Sequence, residues 1–151
     1  KRVRERVLEL GVSQISGGSK TSVGGYEKPE TEDETTSAQF DTSDKRSLDE
    51  IVNWLCSLNF IPSFCTACYR EGRTGDRFMQ LCKSGQISNC CHPNALLTLK
   101  EYIQDYASED TKIKANKLID KEINNITSAK VKEICKKRLS MIEQRKRDFR
   151  F

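Results

Sequence analysis

Ser47-Leu48-Asp49-Glu50-Ile51-Val52-Asn53-Trp54-Leu55-Cys56-Ser57-Leu58-Asn59 decides the fold class. Its first four residues have the spacing of a capping box, in which a hydroxyl and a carboxylate each satisfy a backbone N–H that the helix start leaves orphaned. Leu48, Ile51, Val52, Leu55 and Leu58 then recur every three to four residues, the period of one apolar helical face. A helix ending near Asn59 is expected, and it leads straight to Cys65-Thr66-Ala67-Cys68.

The same period continues downstream. Thr74-Gly75-Asp76-Arg77 can start a short helix through Cys82, and Thr98-Leu99-Lys100-Glu101 has the spacing of a second capping box ahead of Tyr102, Ile103 and Tyr106. Residues 110 to about 126 and 128 to about 147 read as two more helices, with Ile113, Leu118, Ile119 and Ile123 on one and Val131, Ile134, Cys135, Leu139 and Ile142 on the other. Residues 47–151 are therefore expected to form a helical domain. Upstream, 27–46 is acidic and Thr/Ser-rich with no apolar anchor beyond Phe40, the composition of a linker. Residues 1–26 read as a helix stopping at Gly11, a short strand at Val12-Ser13-Gln14-Ile15-Ser16, and a Gly-rich loop through Tyr26. A lone strand cannot satisfy its own backbone, so this piece is expected to belong to a larger sheet or barrel. No internal repeat is visible.

With 36% apolar residues among 151, a large self-sufficient core is not expected. There is no run of eighteen apolar residues, and Lys1-Arg2-Val3-Arg4 interrupts any secretory h-region, so the expectation is a soluble chain with no membrane partner. The net charge of +4 is unevenly spread, with a basic end from Lys130 to Arg150. Those cations are not interleaved with stacking aromatics, which argues for a solvated or docking face and against nucleic acid. Gly17-Gly18-Ser19-Lys20-Thr21 lacks the spacing of a nucleotide P-loop.

Seven cysteines, an odd number with Cys90 and Cys91 adjacent and no secretion signal, point to reduced thiols on a metal and not to a disulfide framework. Cys65 and Cys68 can share one centre, and Cys91 can close it from a separate segment; Cys90 is the alternative by one residue, and spacing favours Cys91. Three thiolates on a cubane leave one iron open to an outside ligand. Three protein ligands and water would make a zinc site catalytic, and His92 or Cys90 as a fourth would make it structural. From spacing alone zinc and iron-sulfur stand level. Pro62, Phe64, Tyr69, Phe78 and Pro93 are expected to screen the thiols from water. Cys56, Cys82 and Cys135 fall on apolar helical positions and are expected to be structural. His92 is expected behind a ligand, and Arg70, Arg73 and Lys20 on a solvated face.

The stretches Cys65-Thr66-Ala67-Cys68-Tyr69-Arg70-Glu71-Gly72-Arg73-Thr74-Gly75, Phe78-Met79 and Cys91-His92-Pro93-Asn94-Ala95-Leu96-Leu97-Thr98-Leu99-Lys100-Glu101-Tyr102 resemble the carboxy-terminal region of the HydG family of FeFe-hydrogenase maturases. Gln14-Ile15-Ser16-Gly17-Gly18-Ser19-Lys20-Thr21, Gly24-Gly25-Tyr26, Gln39-Phe40 and Arg46-Ser47-Leu48-Asp49-Glu50 resemble it too, and also the related thiamine-pathway tyrosine lyase. The resemblance implies a mainly α fragment: the last helix-strand unit of a radical-SAM TIM-like barrel, then a helical domain with an auxiliary 4Fe-4S cluster on Cys65, Cys68 and Cys91. It implies an enzyme that splits tyrosine to p-cresol and dehydroglycine, then makes carbon monoxide and cyanide for the hydrogenase iron, with the other hydrogenase maturases as partners. Ser19 and Thr21 would face substrate at the barrel's carboxyl end. S-adenosyl-L-methionine and a second 4Fe-4S cluster would belong to a missing amino-terminal part, because a CxxxCxxC motif is absent here. This fragment alone is thus expected to be inactive on tyrosine. Its compartment would be the cytoplasm of an anaerobe, or a hydrogenosome or chloroplast-type organelle. The reading that stands against this one is a zinc-stabilised, cysteine-rich interaction module.

Overall fold

The computed structural model describes residues 2–21 and 44–151. It is mainly helical, and the described residues include no strand. The chain divides into two units, Lys1–Ile51 and Val52–Phe151.

In the first unit, helix α1 (Arg2–Glu9) ends as expected: Gly11, at φ 96°, donates to the Leu8 carbonyl and Val12 to that of Val7. This paired closure needs a left-handed residue, which glycine supplies without steric cost. Residues 12–17 form no regular element and no ladder. The strand expected at Val12-Ser13-Gln14-Ile15-Ser16 is therefore corrected, for a physical reason: the described residues offer no neighbour to share its hydrogen bonds. Gly18, at φ 65°, lies so close to the backbone of Leu48 that a Cβ would come within 3.0 Å of the Leu48 nitrogen. Asp44 pairs with Arg4 and, at 2.8 and 2.6 Å, with Arg46. Chiefly through the Arg46 hydrogen bond, its carboxyl is held well below the usual range. Of the acidic linker expected at 27–46, residues 27–43 lie outside the described residues, as does the loop beyond Thr21.

Helix α2 (Leu48–Ser57) opens with the capping box read from the sequence: the Ser47 N–H donates to Glu50 at 2.8 Å, and the Glu50 N–H to the Ser47 hydroxyl at 3.3 Å. It closes at Asn59, which takes φ 61°. The second unit continues with the short α3 (Ala67–Arg70), α4 (Gly75–Lys83), the long α5 (Ile87–Asp105), α6 (Glu109–Glu122) with a 3₁₀ turn at Ile123–Asn125, and α7 (Ala129–Glu143). Ser128 caps α7 by accepting the Val131 N–H. The core joins Leu96, Leu97, Leu99 and Ile103 of α5 to Ala115, Leu118 and Ile119 of α6, Cys135 and Ile142 of α7, and Val52 and Cys56 of α2.

Three local expectations fail. Thr98 does not begin a helix; it sits inside α5, where its hydroxyl donates to the carbonyls of Asn94 and Ala95 at 3.0 and 3.3 Å. Ile113 is 68% exposed and contributes nothing to the core. Cys82 lies on α4, which buries none of its residues, whereas Cys56 and Cys135 are core residues. Among the described residues no helix is long and apolar enough to cross a membrane.

Candidate metal centre

Cys65 stands just ahead of α3, where the helix start leaves N–H groups free, and its sulfur accepts the Ala67 N–H at 3.4 Å. Cys68 follows on α3, and its carbonyl accepts the Arg73 N–H at 2.8 Å. Cys91 comes from α5, in the turn ahead of Pro93. Proline has no N–H, so the Asn89 carbonyl loses its ladder bond at that turn, loosening the helix where Cys90, Cys91 and His92 sit. All three candidate ligands are half-buried and free of disulfides.

Their electrostatics tie the two segments together. The Cys91 thiol is pushed up to about 12, first by burial, then by Cys90, then by Cys68 and Cys65. Cys91 is thus within electrostatic reach of both cysteines of the CxxC pair. Three such thiols repel one another once ionised, and a metal centre supplies the positive charge that relieves this. Cys90 lies 3.9 Å from Cys91, sulfur to sulfur, and also approaches the Gln86 and Ile87 carbonyls of its own helix at 3.5 and 3.8 Å.

Among the described residues no three His, Cys, Asp or Glu side chains are gathered tightly enough to hold a single metal ion. One tetrahedral ion needs every sulfur about 2.3 Å from a common point. A cubane does not, because each thiolate binds a different iron. Three half-buried thiols on two segments are the donor type that an iron-sulfur cluster takes.

The other expected residues take varied places. His92 turns to α6, with Nε2 buried, 3.4 Å from Glu122 and without a hydrogen bond. Phe64 stacks on Tyr102 at 4.8 Å, and its N–H donates to the Thr98 hydroxyl at 3.2 Å, which fastens the approach to Cys65 onto α5. Tyr69, 77% exposed, screens nothing. Arg70 pairs with Asp148, and Arg73 donates to the Phe151 carbonyl at 3.2 Å, so both are engaged by the chain itself. Ser19 and Thr21 are half-buried residues of the first unit.

Sequence reasoning missed the segment that follows α7. It folds back along α5 and α3: Arg147 bonds Asp105, the Asp148 N–H donates to Glu101 at 3.0 Å, and Arg150 bonds Glu71 at 2.9 Å. Asn94, only 2% exposed, takes the Phe151 N–H at 2.8 Å and donates to its carbonyl at 3.5 Å. The one available signal was an amide placed just before the apolar Ala95-Leu96-Leu97.

No family model and no curated protein matches the chain. Among solved structures, a crystal structure of HydG, a maturase of the FeFe-hydrogenase, is 49% identical with a TM-score of 0.90, the match covering 100% of this chain and 32% of that one. The chain spans about a third of the length of the protein it matches.

Proposed function

Because this chain belongs to the HydG family along its whole length and corresponds to a carboxy-terminal portion of it, we propose that it is the auxiliary 4Fe-4S cluster region of a radical-SAM tyrosine lyase that serves FeFe-hydrogenase maturation. The observation that carries this reading is the likeness to a HydG structure over the whole chain, within which Cys65, Cys68 and Cys91 are free and half-buried. Cys65, Cys68 and Cys91 hold the cluster. Bound by three thiolates, it supplies an iron with an open position for converting dehydroglycine to carbon monoxide and cyanide.

The chain's own residues set the surroundings. The Ala67 N–H on the Cys65 sulfur would help set the cluster's potential. Pro93, buried inside α5, removes the one N–H that would bond the Asn89 carbonyl in the turn that carries Cys91. Ser19 and Thr21 supply hydroxyls for the substrate side of the whole enzyme. Tyrosine cleavage, S-adenosyl-L-methionine and the second cluster belong to the family's remaining length. The other hydrogenase maturases are its partners, and a low-oxygen compartment, the cytoplasm of an anaerobe or a hydrogenosome or chloroplast-type organelle, is where an exposed cluster survives.

Anaerobic reconstitution with iron and sulfide tests the reading. A brown protein is expected, with colour and acid-labile sulfide lost on Cys65→Ser, Cys68→Ser or Cys91→Ser and kept on Cys90→Ser. A colourless protein holding one tight zinc ion overturns it in favour of a zinc-stabilised interaction module.

A further inference from the structure

Asn94 is the most deeply buried polar residue of α5, in a run where leucine would be the ordinary occupant. A buried amide left without partners costs about 1–3 kcal/mol, so this side chain is tied to whatever satisfies it. Its partner is Phe151 alone among the bonds it makes with its side chain: Oδ1 accepts the Phe151 N–H, and Nδ2 donates to the Phe151 carbonyl. That carbonyl also accepts Nη2 of Arg73, and the Arg73 backbone N–H donates to the Cys68 carbonyl. On the other side, Asn94 lies one helical turn beyond Cys91, on the same face. A continuous path of bonds thus runs from Cys91 along one turn of α5 to Asn94, through the backbone of Phe151, to Arg73 and Cys68.

The segment that supplies Phe151 is held in an unfavourable backbone. Arg145 and Asp148 take φ of 66° and 67°, the left-handed region that non-glycine residues avoid. Asp105, Glu101, Arg70 and Glu71 fix it from α5 and from the stretch around α3, and the Arg138 guanidinium lies 4.3 Å above the Phe151 ring. Every one of these contacts brings the Phe151 backbone to one place, between the two segments that carry the cysteines.

We propose that Asn94 is a positioning residue for the cluster ligands: by gripping Phe151, and through it Arg73, it locks the turn carrying Cys91 in register with the segment carrying Cys65 and Cys68. The inference rests on the cluster reading above. Groups that orient metal ligands from behind typically change metal affinity by 10–100-fold when removed; Asn94 and the Arg73 side chain act one step further back, through the Phe151 backbone and the Arg73 N–H on the Cys68 carbonyl.

The experiment compares the reconstituted protein with its Asn94→Ala and Arg73→Ala variants, using the EPR spectrum of the reduced cluster and the rate of iron loss to a chelator. Each variant is expected to broaden and shift the EPR signal and to release iron roughly tenfold faster. The double variant is expected to do little more than either single one, because both act through the same carbonyl. Arg73 is partly exposed, so its variant carries the test even where Asn94→Ala fails to fold. Wild-type protein that takes up no cluster overturns the cluster reading and this inference together. Wild-type protein that takes up the cluster, with variants whose EPR and iron release are unchanged, overturns this inference alone.

Discussion

Leu96 is fully enclosed in the core of the second unit, while Ile113, expected on the apolar face of its helix, is 68% exposed. Removing the Leu96 side chain loses its transfer energy and leaves a cavity, so Leu96→Ala is expected to cost about 2–5 kcal/mol. Ile113→Ala is expected to stay within about 0.5 kcal/mol. Urea unfolding midpoints check both, and a similar shift for the two would contradict the burial. The same contrast explains Cys82: period alone cannot say whether a short helix has a neighbour to cover its apolar face. Thr98 was misread for a related reason. A Thr three residues before Glu caps a helix only where a helix begins, and here the helix had begun at Ile87 and passed through Pro93.

Helices were the most legible elements, because the apolar period, the Ser47 box and the Gly11 stop are local signals that local structure obeys. Ser128 is one more such signal, and Ser128→Ala is expected to destabilise the protein by about 1 kcal/mol, read from the denaturation midpoint. The returning segment was not legible, since its partners are scattered from Glu71 to Asp105 and nothing in its own pattern announces them. Its hold is partly ionic. The Asp105 and Asp148 carboxyls lie below their ordinary value of 3.8, chiefly through hydrogen bonds from Arg147 and Arg70. A depressed carboxyl stabilises the fold above its unfolded value and loses that contribution as pH falls through the folded one. Hydrogen-exchange protection of residues 145–151, corrected for intrinsic rates, is therefore expected to hold above about pH 5 and to fall below about pH 4. Protection that persists unchanged at lower pH would show that apolar contacts and Asn94 hold the segment without the ion pairs.

At the scale of the whole molecule, a chain with 36% apolar residues still closes a core in its second unit, because α2, α5, α6 and α7 direct their few large apolar side chains to one place. The candidate site was legible as three cysteines and a spacing. Its coupling to the returning segment was not, because that depends on tertiary contacts between residues almost eighty positions apart. One consequence of the core concerns chemical access. Cys56 and Cys135 are enclosed, and burial pushes both thiols up to about 11, so neither offers a thiolate to a reagent. An alkylating agent is expected to mark all seven cysteines in denaturant but only four in the folded, metal-free protein, because Cys91, pushed up to about 12, offers no more thiolate than the two core thiols. With a cluster on Cys65, Cys68 and Cys91, only Cys82 and Cys90 remain open to it. Intact-mass spectrometry then reads loading directly as the number of added labels, with the two silent core thiols reporting in every sample that the fold was intact.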